Sequence, residues 1–262
     1  MNFTKMQGLG NEYLYVYGEV PENIEELSIR LSDRHFGAGS DGMIYISPSD
    51  RADFSMRIFN ADGSEARMCG NGIRCVGKYV YDKGYTDKTS LRIETLSGIK
   101  TLELHLKDNK VDAVTVDMGK VLPGDEVGIT ALNRKWTLLP VSVGNPHAVC
   151  FVDDIDGVPL SEVGPVIEKH ELFPGGVNSE FVQVLDKDRL RMRVWERGSG
   201  ITLACGTGAC ASAMAAVQKG YCQKGKPITV RLDGGELEII ILEDGRAMMT
   251  GPAMTVYEGS TI

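Results

Sequence analysis

The sequence predicts an α/β (α+β) fold of two pseudo-symmetric domains, each a curved, mostly antiparallel sheet wrapped around a central helix. Three observations lead there. The chain matches itself when displaced by 136 positions. Each copy carries Cys-Gly-x-Gly at the start of a predicted helix. Short strand-like runs, punctuated by Gly, Asp and Asn, follow each helix, as expected for strands joined by tight turns.

The repeat is ungapped across residues 56–85 and 192–221. Met56 and Arg57 fall on Met192 and Arg193. Cys69, Gly70 and Gly72 fall on Cys205, Gly206 and Gly208, and Lys83-Gly84-Tyr85 falls on Lys219-Gly220-Tyr221. The same offset pairs Gly8 with Gly144, Leu96 with Leu232 and Gly98 with Gly234. One register holding this many matches in order implies two similar domains. The boundary falls near Gly119 to Asp125, giving an N-terminal domain at 1–118 with Cys69 and a C-terminal domain at 119–262 with Cys205. A return of the last strand to the first domain stays open.

Within each copy the local pattern is the same. Met56 to Phe59 and Leu190 to Trp195 read as strands from their alternation and their β-branched or aromatic content. A Gly-rich turn follows, then a helix of about 14 residues opening at Cys-Gly-x-Gly. Gly84 and Gly220 suit the position just past a helix end, with Lys83 and Lys219 in the last turn against the dipole. Ala209 to Val217 is small and apolar on nearly every face, the mark of a buried helix. Leu102 to Leu106, Val111 to Val116, Ile228 to Leu232 and Leu237 to Leu242 are expected strands. Ile24 to Asp33 and Leu160 to His170 are expected outer helices.

Composition limits the function. With 262 residues, 42% hydrophobic and 24% charged, the chain is an ordinary globular sequence. Its formal net charge is −8 and it has no dense Lys/Arg patch, so nucleic acid and anionic membrane are not expected partners. No apolar stretch reaches the length of a bilayer span, and Met1 to Gly10 has no apolar secretory core. A cytoplasmic protein is expected. Six cysteines and four scattered histidines form neither a disulfide framework nor zinc-ligand spacing, so no metal or cofactor is expected. Cys75, Cys150, Cys210 and Cys222 read as buried small hydrophobes. Gly206 to Ala211 fits a loose G-x-G-x-x-A pattern, but no βαβ unit flanks it and its twin at Gly70 does not match.

Cys69 and Cys205 differ from the other thiols because the repeat places both at a helix start. Such a start offers unpaired N–H groups and partial positive charge, and glycine lets a ligand approach that backbone. Each is therefore half of an anion site with a thiol at its mouth, and the position is expected to favour thiolate. If the two domains face each other, a carboxylate could sit between both helix starts in the interdomain cleft, one sulfur on each face of its α-carbon. One thiolate would take the α-proton and the opposite thiol would deliver one, while fixed N–H donors hold the developing charge. The expected activity is cofactor-independent amino-acid epimerisation.

At these residues the sequence resembles the diaminopimelate epimerase family along its whole length. The likeness covers the opening Lys5-Met6-Gln7-Gly8-Leu9-Gly10-Asn11, Gly39-Ser40-Asp41-Gly42, Phe59-Asn60-Ala61-Asp62-Gly63-Ser64 and Met68-Cys69-Gly70-Asn71-Gly72-Ile73-Arg74-Cys75. It continues through Val143-Gly144-Asn145-Pro146-His147, Gly176-Val177-Asn178, Glu196-Arg197-Gly198 and Ala204-Cys205-Gly206-Thr207-Gly208. The resemblance implies interconversion of LL- and meso-2,6-diaminoheptanedioate for lysine and cell-wall synthesis, without cofactor, commonly by a homodimer. It implies that Cys205 takes the proton from the LL substrate and Cys69 donates on the other side. The backbone of Gly70, Asn71, Gly206 and Thr207 would hold the reacting carboxylate. Asn11, Asn60, Asn145, Asn178, Glu196 and Arg197 would hold the amino groups and the distal carboxylate, with His147 and Glu196 tuning the thiols. Some family members carry Gln where this chain has Gly42, so no side-chain contact to substrate is expected from that position. The rival readings are a proline or hydroxyproline racemase of the same fold and a non-catalytic dicarboxylate-binding module. The first resembles Met-Cys-Gly-His-Gly at its first cysteine and lacks the Asn and Arg set, so Asn71 and Arg197 argue against it.

Overall fold

A helix that is apolar on every side must be enclosed, and the second half of this chain encloses one, while the first half encloses an amphipathic helix by its apolar stripe. The structure, a computed structural model describing residues 1–261, divides into two compact units. One comprises Met1–Val116 with Thr250–Ile262, the other Asp117–Met249.

The first unit runs β1 (Asn2–Gly8), β2 (Asn11–Tyr17), α1 (Ile24–Ser32), β3 (Gly42–Pro48), β4 (Phe54–Asn60), β5 (Glu65–Ala66), α2 (Gly70–Asp82), β6 (Ser90–Thr95), β7 (Gly98–Lys107) and the first part of β8 (Lys110–Lys120), which passes into the second unit at Asp117. The second runs β9 (Leu122–Pro123), β10 (Val127–Ala131), β11 (Arg134–Ser142), β12 (Pro146–Phe151), α3 (Leu160–Glu168), β13 (Asn178–Asp186), β14 (Arg189–Glu196), β15 (Gly200–Ile201), α4 (Gly206–Gln218), β16 (Pro227–Leu232) and β17 (Gly235–Ile241). β18 (Arg246–Pro252) carries the chain back to the first unit, where β19 (Met254–Ser260) pairs antiparallel with β1.

The repeat reappears in three dimensions. α1 and α2 fall on α3 and α4 at the sequence offset, from Ile24 to Leu160 and from Gly70 to Gly206. β2 and β3 pair in parallel, as do β12 and β13; so do β4 and β6, and β14 and β16. Each parallel pair spans a helix-bearing connection, as parallel strands require. The remaining strands pair antiparallel through short turns, among them β3 with β4 and β13 with β14.

The central helices obey their sequences. In α4 every residue from Gly208 to Ala216 is buried. In α2 burial runs from Gly70 to Gly77 and includes Tyr79 and Val80. Both helices end alike. Tyr85 N–H donates to Val80 O at 2.9 Å and Gly84 N–H to Tyr81 O at 3.0 Å; Tyr221 and Gly220 repeat this with Ala216 and Val217. That double bond pattern requires a left-handed residue just past the helix, and Gly84 (φ 77°) and Gly220 (φ 75°) supply it. Lys83 and Lys219 are the capping residues, one step beyond the last turn where the sequence put them. The outer helices end at Ser32 and Glu168, one and two residues earlier than expected. Among the described residues no helix is long and apolar enough to cross a membrane.

α3 packs on β14 through a glycine. A β-carbon on Gly164 would lie 2.5 Å from Trp195 Cγ and 2.7 Å from its Cβ, so the neighbour has little room to yield. Gly164→Ala is expected to destabilise the protein by about 1–3 kcal/mol through overpacking, read from the midpoint of urea unfolding.

Candidate active site

Each cysteine is the N-cap of its central helix, in the place a serine or threonine commonly takes. Cys69 has extended backbone (φ −136°, ψ 116°) and its Sγ accepts from Gly72 N–H at 3.3 Å. Cys205 repeats this (φ −124°, ψ 108°), with Gly208 N–H at 3.4 Å. The sulfurs are thus held by the third helical amide, and the turn above them is kept narrow by glycine. The first amides of a helix have no acceptor within it, so the backbone at Gly206 and Thr207 offers donors to an anion.

The thiol of Cys69 faces an amide that is itself held by a carboxylate. It donates to Asn11 Oδ1 at 3.2 Å. Asn11 is oriented by Asp41, whose Oδ2 accepts from Asn11 Nδ2 at 2.8 Å and from Glu12 N–H at 2.9 Å. Tyr13 stands close by; burial, then the charge of Cys69, pushes its phenol well above the usual range. Asn71 is buried and its Oδ1 accepts from Arg74 Nη1 at 3.1 Å. Asn60 bonds Ser64 Oγ at 3.0 Å, closing its own turn. Gly42 has φ 152°, and a β-carbon there would lie 2.1 Å from Phe59 O, so this backbone admits no side chain at that position.

Around Cys205 the neighbours are charged or linked to charge. Thr207 Oγ1 lies 3.5 Å from Cys205 Sγ and accepts from Asn145 Nδ2 at 3.3 Å. Asn145 Oδ1 accepts from His147 Nε2 at 3.1 Å, and His147 Nδ1 meets Glu180 Oε1 at 2.6 Å. Glu196 also reaches the Cys205 thiol, and its carboxylate accepts from the Thr202 hydroxyl. Burial raises the Glu196 carboxyl above its ordinary range, only partly offset by the hydrogen bonds of Thr202 and Cys205. Asn178 holds the chain at Arg197: its Oδ1 accepts from Arg197 N–H at 2.9 Å, and its Nδ2 donates to Pro146 O at 3.1 Å. Arg197 lines a cavity of about 470 Å³ with Glu168, His170, Phe173 and Gly176.

One expectation is corrected. The helix start does not favour the Cys205 thiolate. Burial raises this thiol well above its ordinary value, Glu196 and Glu180 add to the rise, and Thr207 and the Gly208 amide counter it only in part. Removal from water outweighs the helix dipole here. His147, expected to tune the thiols, is bonded on both nitrogens, to Glu180 and to Asn145, and meets Cys205 only through Asn145 and Thr207. Sequence reasoning missed Glu180, which is fully buried in β13. Its signal was available: the repeat sets this carboxylate against the apolar Ile44 of the first copy. The other thiols behave as read, with burial pushing Cys75, Cys150 and Cys222 up to about 11. Among the described residues no group of three or more His, Cys, Asp or Glu is arranged to hold a metal ion.

Comparison with known proteins places these features. Residues 3–122 and 139–256 match the family model described as Diaminopimelate epimerase. A diaminopimelate epimerase of Methanococcus maripaludis is 53% identical over 99% of both chains. One of Acetivibrio thermocellus is 51% identical over 99% of this chain and 98% of its own. Among solved structures, a probable proline racemase from Agrobacterium radiobacter superposes with TM-score 0.77 at 18% identity, covering 100% of this chain and 92% of the other. A PhzF-family phenazine biosynthesis protein of Bacillus anthracis gives 0.77 at 18%, covering 100% and 99%. At that identity these two establish the architecture of two pseudo-symmetric α/β domains.

Proposed function

The chain belongs to the diaminopimelate epimerase family, and on that premise we propose that Cys69 and Cys205 are the acid–base pair of its reaction. That reaction interconverts LL- and meso-2,6-diaminoheptanedioate, a dicarboxylic diamino acid, in lysine biosynthesis and without pyridoxal phosphate. The observation that carries the assignment is the double N-cap: two thiols at equivalent helix starts, each fixed by the third amide.

In the forward direction Cys205, as thiolate, removes the α-proton of the LL substrate, and the Cys69 thiol delivers a proton to the opposite face. The reverse reaction exchanges the roles. Charge left on the α-carbon spreads into the carboxylate, held by the backbone of Gly70, Asn71, Gly206 and Thr207. Loss of one such donor typically costs roughly 10²–10³ in rate. Asn11, Asn60, Asn145, Asn178, Glu196 and Arg197 hold the amino groups and the distal carboxylate, and His147 and Glu196 act on the thiols. The Arg197 fork and the paired donors and acceptors of each Asn suit those groups. The product also serves peptidoglycan precursor synthesis in this reading.

The enzyme works as a homodimer in the cytoplasm. Apolar side chains left exposed on β19, Met254, Val256 and Tyr257, support a self-associating surface. Six free cysteines suit a reducing compartment.

Cys69→Ala and Cys205→Ala are each expected to lose about 10²–10⁴ in kcat, the range of one positioned acid or base. In D₂O, early product should carry deuterium while unreacted substrate stays protiated; rapid exchange into substrate with slow inversion would point to a single base. A substrate panel in which proline turns over and diaminopimelate does not would sink the reading altogether. Arg197→Lys, which replaces a planar fork with a point charge, should raise KM for diaminopimelate roughly tenfold. Light scattering should give twice the chain mass; a monomer at working concentration would rule out the dimer.

A further inference from the structure

The two cysteine sites hold equivalent places in the repeat but differ in charge. At the offset that superposes Cys69 on Cys205, Asn11 falls on His147, Ile44 on Glu180 and Asn60 on Glu196. The match at Glu180 is spatial too. A β-carbon built on Gly72 would meet Ile44 Cδ1 at 2.7 Å, and one built on Gly208 would meet Glu180 Oε1 at the same 2.7 Å. The space under the first turn of the central helix is filled by a methyl group in one unit and by a carboxylate in the other.

That carboxylate is costly. Glu180 is fully buried, and while Oε1 meets His147, Oε2 has no hydrogen-bond partner among the described residues. A bare buried oxygen costs stability. Filling the space does not demand it, since isoleucine does so in the sister unit.

We propose that Glu180 is a positioning residue that helps hold Cys205 as a thiol in the substrate-free enzyme, by setting negative charge against the helix start and so adding to the burial that already disfavours the thiolate. The inference rests on reading Cys205 as an acid–base residue. A helix start carries roughly half a positive charge. A carboxylate beneath Gly208, whose amide bonds the Cys205 sulfur at 3.4 Å, offsets it. The groups facing Cys205 are Glu180 from β13, Glu196 from β14, His147 from β12 and Thr207 on its own helix. His147 pairs with Glu180 and reaches the sulfur only through Asn145 and Thr207, whereas the Glu180 end of that pair stands against the capped turn, so the carboxylate is the nearer of the two to the sulfur's helix start. The raised Cys205 thiol, which burial causes first and Glu196 and then Glu180 increase, agrees. The substrate's two ammonium groups bring compensating positive charge, so the thiolate becomes accessible as the substrate binds.

Two variants test this. Glu180→Gln keeps the shape without the charge, and Glu180→Ile copies the first unit. Alkylation of Cys205 by iodoacetamide, followed by peptide mass spectrometry across pH, should move to lower pH by roughly one unit in both. The acid limb of kcat for diaminopimelate should move the same way. Cys75, whose thiol burial holds near 11, should not change. An unchanged or upward-shifted Cys205 profile in either folded variant overturns the proposal. So does loss of fold in both, because Glu180 would then be a structural residue. If the parent enzyme fails on diaminopimelate, the functional reading falls, while the alkylation profile still judges Glu180.

Discussion

The structure depends on a weak bond used twice: a cysteine sulfur accepting from the third amide of the helix it caps. Oxygen would cap more strongly, and serine or threonine is the common choice. Sulfur instead leaves a titratable group fixed by the fold itself. The glycine at the donating amide lets a neighbouring strand pack directly beneath the turn, through Ile44 in one unit and Glu180 in the other. The sheet, the central helix and the reactive atom are therefore specified together, and the Cys-Gly-x-Gly motif cannot be altered without disturbing all three.

Much of this was legible in the sequence because it is local. Helix boundaries followed from Gly84 and Gly220, whose left-handed backbone ends α2 and α4, and from the unbroken apolar surface of Ala209 to Val217. The repeat register carried the outer helices as well, from Ile24 to Leu160. Partnerships between strands were not legible. β2 with β3 and β14 with β16 are parallel pairs set by how helix connections cross over, and alternation of side chains carries no sign of direction. The same gap separates the residues of the site from their chemistry. Asn11, Asn145 and Asn178 could be named from motifs, but not that Asp41 orients the first or that Asn178 holds the backbone at Arg197. The protonation of Cys205 is not legible in the sequence for a related reason. The dipole is written in the helix, whereas the burial and the carboxylates that oppose it come from β13 and β14.

Duplication explains the plan and divergence explains the chemistry. Two copies of one unit give two thiols with matched supports, which suits an inversion that must work from both sides of a carbon. Identical surroundings would leave the two thiols interchangeable. The first copy has neutral groups where the second has His147, Glu180 and Glu196. The carboxylates differ in the way they are satisfied: Glu196 is bonded by Thr202 and faces the thiol, whereas Glu180 sits deeper with one oxygen bare. Such a pattern is retained at a cost to stability, as functional sites often are.

The pairing of β19 with β1 bears on how the protein is made. β1 leaves the ribosome early and at once can pair with β2, but its other edge waits for a strand encoded after the entire second unit. The unit synthesised first is therefore completed last. Until then an open strand edge is presented to the cell, the kind of surface on which nascent chains aggregate or recruit chaperones. Asp117–Met249, whose sequence is continuous, has no such wait and can fold as it emerges.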